Sequence, residues 1–273
     1  MRLTILAAFA AGAAVTASAL AAAPASTPSL FDAATAVDKI TVPAKGDKPK
    51  TQISCHYYPH FMVKQIDEGE VGAAQLSILP SDGPHKPKCQ QANAANEKVV
   101  NADDWSGYFK GVKGDFVFFD ADDGVNGGLG FAVFGTDAKK IFEDSAFGPI
   151  HEVALAGSTL TVKYQRSAAA SCSVVKDGAS CWTKAVTETG VPATPAPDCA
   201  GGYLKAKTAM ARGRCDADRT PTQACIDKTL KELDAQKWNE APSVFVFEAQ
   251  TVIAGGKPAT TALGPALACH PSD

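Results

Sequence analysis

Eight cysteines set the strongest limit on what this chain can become: Cys55, Cys89, Cys172, Cys181, Cys199, Cys215, Cys225 and Cys269. No two of them stand at Cys-x-x-Cys spacing, so they do not read as a metal cluster. An even number in an oxidising compartment reads instead as disulfides. The N-terminus supplies that compartment. Arg2 is an early cation, an Ala-rich apolar run follows to about Val15, and small residues fill Thr16 to Ala23. These are the three parts of a secretory signal peptide, here 1–21. Ala19-Leu20-Ala21 puts Ala at both positions a signal peptidase reads, so cleavage is expected before Ala22. The apolar run falls short of the roughly 20 residues a spanning helix needs, so no membrane insertion is expected after cleavage. The mature protein is expected in a bacterial periplasm or outside the cell.

Eight cysteines allow 105 complete pairings. Local geometry narrows them. Asp198 reads as the cap of a helix striped by Tyr203, Ala206 and Met210 and closed by Gly213. Thr220 with Gln223 forms a capping box, Pro221 suits a first turn, and Ile226, Leu230 and Leu233 stripe the next helix. As an antiparallel hairpin these two helices bring Cys215 to Cys225. They leave Cys199 about 20 Å from Cys215, beyond bonding reach. Cys55–Cys89 is expected within the N-terminal β region and Cys172–Cys181 around one turn. Cys199–Cys269 follows by elimination.

Residues 22–50 are rich in Ala, Pro, Thr and Lys and read as a flexible arm with one short strand at Lys39–Val42. From 51 to about 166 the pattern is β. Phe116 to Phe119 is a continuous apolar run, as expected for a strand covered on both faces. Leu129–Phe134 with Lys139–Phe142, and His151–Leu155 with Thr159–Tyr164, read as hairpins on short turns, hence antiparallel. Three helices are expected over about 171–240. The first runs through Trp182 and Val186 to Gly190. Ser243–Ala249 then resumes the sheet, and 255–273 reads as a Gly-, Pro- and Ala-rich tail pinned by Cys269. The fold class is α+β: one antiparallel β-sheet domain, 51–254, with a three-helix disulfide-bonded subdomain inserted before the last strand.

Two stretches are candidate sites. Asp120, Asp122, Asp123 and Asn126 supply oxygen ligands of the kind Ca²⁺ takes. Aligning Gly127 with the glycine of a twelve-residue calcium loop, however, puts Gly124 and Val133 at ligand positions. The same residues, ending in Asn126-Gly127, also suit a plain hairpin turn. His56 and His60 share a face if Cys55–Phe61 is extended, and with His85 they would suit a transition metal. No cofactor is predicted; Ca²⁺ is the ion the acidic stretch would hold if it held one. Trp105, Tyr108 and Phe109 are either core aromatics or a recognition surface. No Gly-x-Ser-x-Gly, His-Glu-x-x-His or phosphate-binding glycine loop occurs.

The net charge is −3, and −4 once Arg2 is cleaved away. With no basic run interleaved with aromatics, the chain lacks a nucleic-acid footprint. The expected function is a non-catalytic binding or interaction module of the cell envelope, its partner a protein or small molecule. The alternatives are an exported hydrolase with a dispersed site and a calcium- or transition-metal-binding protein.

Overall fold

The computed structural model describes residues 29–44, 46, 50–81, 86–217 and 222–272. The signal-peptide segment, His85, Thr220 and Pro221 lie outside them. The protein is α+β: among the described residues it has two antiparallel sheets, four α-helices and four disulfides. The first sheet runs in order β1 (Ala36–Val42), β2 (Thr51–Tyr57), β3 (Phe61–Asp67), β4 (Gln75–Pro80) and β5 (Lys98–Val99). The second contains β6 (Gly107–Lys113), β7 (Phe116–Val125), β8 (Gly128–Phe134), β9 (Lys140–Ala146), β10 (Glu152–Ala156) and β11 (Thr159–Ala169). Four helices follow: α1 (Val174–Asp177), α2 (Ala179–Thr189), α3 (Cys199–Ala217) and α4 (Gln223–Ala235). Then β12 (Ser243–Ala254) and β13 (Lys257–Pro271) complete the second sheet in the order β13-β12-β11-β9-β8-β7-β6, with β10 beside β11.

The apolar run in β7 is continuous because both of its faces are buried. Val117 and Phe119 meet Val63 and Ile78 of the first sheet, while Phe118 joins Phe131, Val133 and Tyr164 on the side that carries Tyr203 and the helices. The first sheet is thus half of a sandwich, and its own outer side is covered differently. Ile53, Cys55, Tyr57, Met62, Ile66 and Leu79 lie under residues 86–97. That cover is held by Cys55–Cys89 and by an ion pair, Lys64 Nζ to Glu97 Oε1 at 2.6 Å, with both side chains 1% exposed. Glu97 also accepts from Ser77 Oγ at 2.6 Å and from the Ala94 amide at 2.9 Å, so the buried carboxylate is well supplied with donors.

In the helical part, Cys215–Cys225 closes the α3–α4 hairpin and Cys172–Cys181 ties the entry of α2. Cys199–Cys269 fastens α3 to β13. Contact there is intimate: a Cβ on Gly202 would stand 1.8 Å from the Cys269 carbonyl oxygen, so the position admits only glycine. Thr222 caps α4, accepting from the Cys225 amide at 3.2 Å.

Several expectations change. There are two sheets, not one, and four α-helices, not three, since Ser173 caps a short additional turn. The helices precede two strands. The Lys257–Pro271 segment expected as a tail is β13, paired along β12 after a tight turn in which Gly255 and Gly256 take φ of 57° and 73°. Its prolines suggested irregular chain, but an edge strand tolerates proline because one side of its backbone needs no partner. The short strand expected at Lys39–Val42 is there but starts three residues earlier, as β1 (Ala36–Val42), in register with all of β2.

Candidate functional site: an open polar face on the first sheet

The second sheet covers the inner side of β3 and β4 but leaves that side of β1 and β2 open. Register aligns the residues of that side in three rows across β1, β2 and β3: Val37–His56–Val63, Lys39–Ser54–Gln65 and Thr41–Gln52–Asp67. Val63 is core; the other rows are polar because no apolar layer lies over them. They line a cavity of about 330 Å³. Phe109 of β6 packs beside two of the lining residues, His56 and Gln65. Its ring centroid lies 4.7 Å from that of His56, and its amide donates to Gln65 Oε1 at 2.8 Å, which orients the Gln65 side chain.

Burial, and then the charge of Lys39, hold the His56 pKa below the usual imidazole value of 6.5. The ring is therefore neutral at pH 7. A histidine depressed in the folded state stabilises the fold above the unfolded pKa, and that contribution is lost as pH falls through the window below about 6.5. His56→Gln is expected to flatten the pH dependence of the unfolding free energy between pH 7 and 5. A slope equal to that of the parent would contradict the assignment.

Ser54 and His56 are two residues apart on β2 and stand on the same side of it, each opposite its partner in the neighbouring strands. The face offers two amides, two hydroxyls, a neutral imidazole, one ammonium and one carboxylate beside an aromatic ring. Such groups can make hydrogen bonds and charge contacts to a polar ligand.

The residues singled out in the sequence are dispersed. β2 stops at Tyr57 and the chain turns, with the Tyr58 amide donating to the Phe61 carbonyl. His60 therefore lines a different cavity, of about 340 Å³, with Tyr58, Phe61, Asp32 and Asp115. Burial, with Asp32 nearby, pushes the Tyr58 hydroxyl up to about 12, which keeps it protonated. Asp120, Asp122 and Asp123 lie within β7, not in a loop, and Asn126-Gly127 alone makes the turn, with φ of 55° and 69°. Lys110 Nζ donates to both Asp120 oxygens, at 2.6 and 2.8 Å, and Ser106 Oγ donates to Asp122 at 2.9 Å. Among the described residues, no three His, Cys, Asp or Glu side chains are grouped to hold a metal ion. Of the aromatic trio, Phe109 reaches the polar face. Trp105 instead donates to the Asp120 carbonyl at 3.3 Å, and the Tyr108 hydroxyl accepts from the Gly72 amide at 2.8 Å.

For the acidic stretch, a filled calcium site would raise stability by RT ln(1 + [L]/Kd), about 2.7 kcal/mol at a hundredfold excess over Kd. With Asp120 held by Lys110, millimolar Ca²⁺ is expected to leave the melting temperature unchanged. A rise that Asp122→Ala abolishes would restore the calcium site.

The fold and the face together define a disulfide-bonded α+β domain with an open polar surface. No protein-family model matches the chain, and no curated protein or solved structure matches it.

Proposed function

We propose that this protein is a non-catalytic binding module of the cell envelope, exported to a bacterial periplasm or beyond, that takes a polar ligand on the open face of β1–β3. One observation carries the reading: the sandwich leaves part of its inner surface uncovered, and that part is polar where the covered remainder is apolar. Four disulfides support an oxidising compartment.

Amide shifts of labelled protein, titrated with soluble cell-wall glycan fragments and with short polar peptides, test the proposal. Shifts are expected at Lys39, Ser54, His56 and Gln65, with no turnover of ester, glycoside or peptide substrates. Turnover that His56→Ala abolishes would make the protein an enzyme instead.

A further inference from the structure

Among the described strands the first sheet ends in β1 and β5 and the second in β6 and β13, while the five-residue β10 is a further edge beside β11. The free side of β6 is dressed along its length: the Gly107 carbonyl accepts from the Ala73 amide at 2.9 Å, the Phe109 amide donates to Gln65, and the Val112 carbonyl accepts from the Asp32 amide at 2.8 Å. β5 is two residues long. β13 carries Pro258, Pro265 and Pro271, and its register shifts opposite the Phe247–Ala249 stretch, so its edge is blunted against pairing. β1 has none of these protections. Its seven residues, Ala-Val-Asp-Lys-Ile-Thr-Val, include no proline, and no described strand lies beyond it. Val37 and Ile40 are 46% and 38% exposed on opposite sides of the strand.

A depression lies on each side of that edge. On the inner side is the polar face with Lys39 and Thr41. On the outer side a hollow of about 610 Å³ is bordered by Asp38, Ile40, Tyr57, Lys86 and Lys88. Its charge is net positive. Asp38 accepts from the Tyr57 hydroxyl at 2.9 Å, and Lys86 Nζ stands 5.2 Å over the Tyr57 ring, while both lysines are exposed. From this geometry we infer that β1 receives an extended acidic peptide as a sixth strand. The inference rests on the binding-module reading and names its partner. Successive side chains of an added strand point to opposite faces, so one set falls over the polar face and the other beside Lys86 and Lys88. A second copy of this chain fits less well, because the register that pairs all seven residues sets Lys39 directly against Lys39.

The probe is a capped peptide of alternating threonine and glutamate, long enough to span β1. Its controls carry lysine for glutamate, or methyl groups on alternate backbone amides. The glutamate peptide is expected to shift the amides of Val37 to Val42 and slow their hydrogen exchange. The methylated peptide should lose binding, since it cannot complete the ladder. Reversing both charges in Lys86→Glu/Lys88→Glu should weaken binding by about tenfold or more, with an unchanged melting temperature. Equal binding of the lysine peptide, indifference to methylation, or no binding of the glutamate peptide overturns the inference. So does a dimer of the protein alone that Ile40→Lys disperses. If the glutamate peptide fails while another ligand shifts Ser54 and His56, strand addition falls and the binding module stands.

Discussion

Glu97→Ala is expected to cost about 3–5 kcal/mol, because it leaves the Lys64 ammonium buried without its counter-charge. In a domain of this size that lowers the melting temperature by roughly 6–20 °C. Three groups that now share the carboxylate, Ser77 Oγ, Gln75 Nε2 and the Ala94 amide, lose their acceptor at the same time. Replacing both partners by apolar side chains, Lys64→Met with Glu97→Leu, should recover much of the loss, since no charge is then stranded. Chemical denaturation under non-reducing conditions measures both variants. A single variant as stable as the parent, or a double no better than the single, would show that the pair is not the element holding residues 86–97 in place.

The bridge from Cys199 to Cys269 should be the most costly of the helical disulfides to remove. It spans 70 residues, against 10 for Cys215–Cys225. Loop-closure entropy assigns about 4.4 kcal/mol to the longer span and about 2.7 kcal/mol to the shorter. Cys199→Ser/Cys269→Ser also frees α3 from β13 at the close contact of Gly202. Unfolding of the two serine pairs side by side tests the order. A larger loss from Cys215→Ser/Cys225→Ser would mean that the native contacts, and not the constraint on the unfolded chain, set the effect.

Much of the fold is legible residue by residue, where the signal is local. The Phe116–Phe119 run announces a strand buried on both faces, and Thr159–Tyr164 announces a hairpin with the preceding strand. The stripe Ile226, Leu230 and Leu233 announces a helix, of which Leu233 is fully buried. What is missed depends on distant partners. Ala259, Thr261 and Leu263 resemble loose chain until β12 is beside them, and of β1 only Lys39–Val42 reads as strand until β2 supplies the whole ladder. The open face is hidden for the same reason. Lys39, Ser54 and Gln65 form one row only through the register of three strands, which nothing local in the chain specifies. His56 can be singled out from the sequence, but pairing it with His60 assumes an extended Pro59, where the chain in fact turns.

Three of the four bridges join cysteines that are neighbours in chain order; Cys199–Cys269 alone encloses another pair. A chain oxidised as it emerges, N-terminus first, therefore offers Cys199 a wrong partner, Cys215, before the right one exists. Helix formation decides the outcome. In α3 the two sulfurs are held 16 residues apart, about 24 Å along the axis, and helices form in about a microsecond while thiol oxidation takes seconds or longer. An isolated helix with glycines at 201, 202 and 213 is only marginally stable, however, so the mispairing window stays open until α4 docks and Cys225 captures Cys215. On that order of events Cys199 would remain a thiol until β13 has been made, and the bond that joins the helices to the sheet would close last.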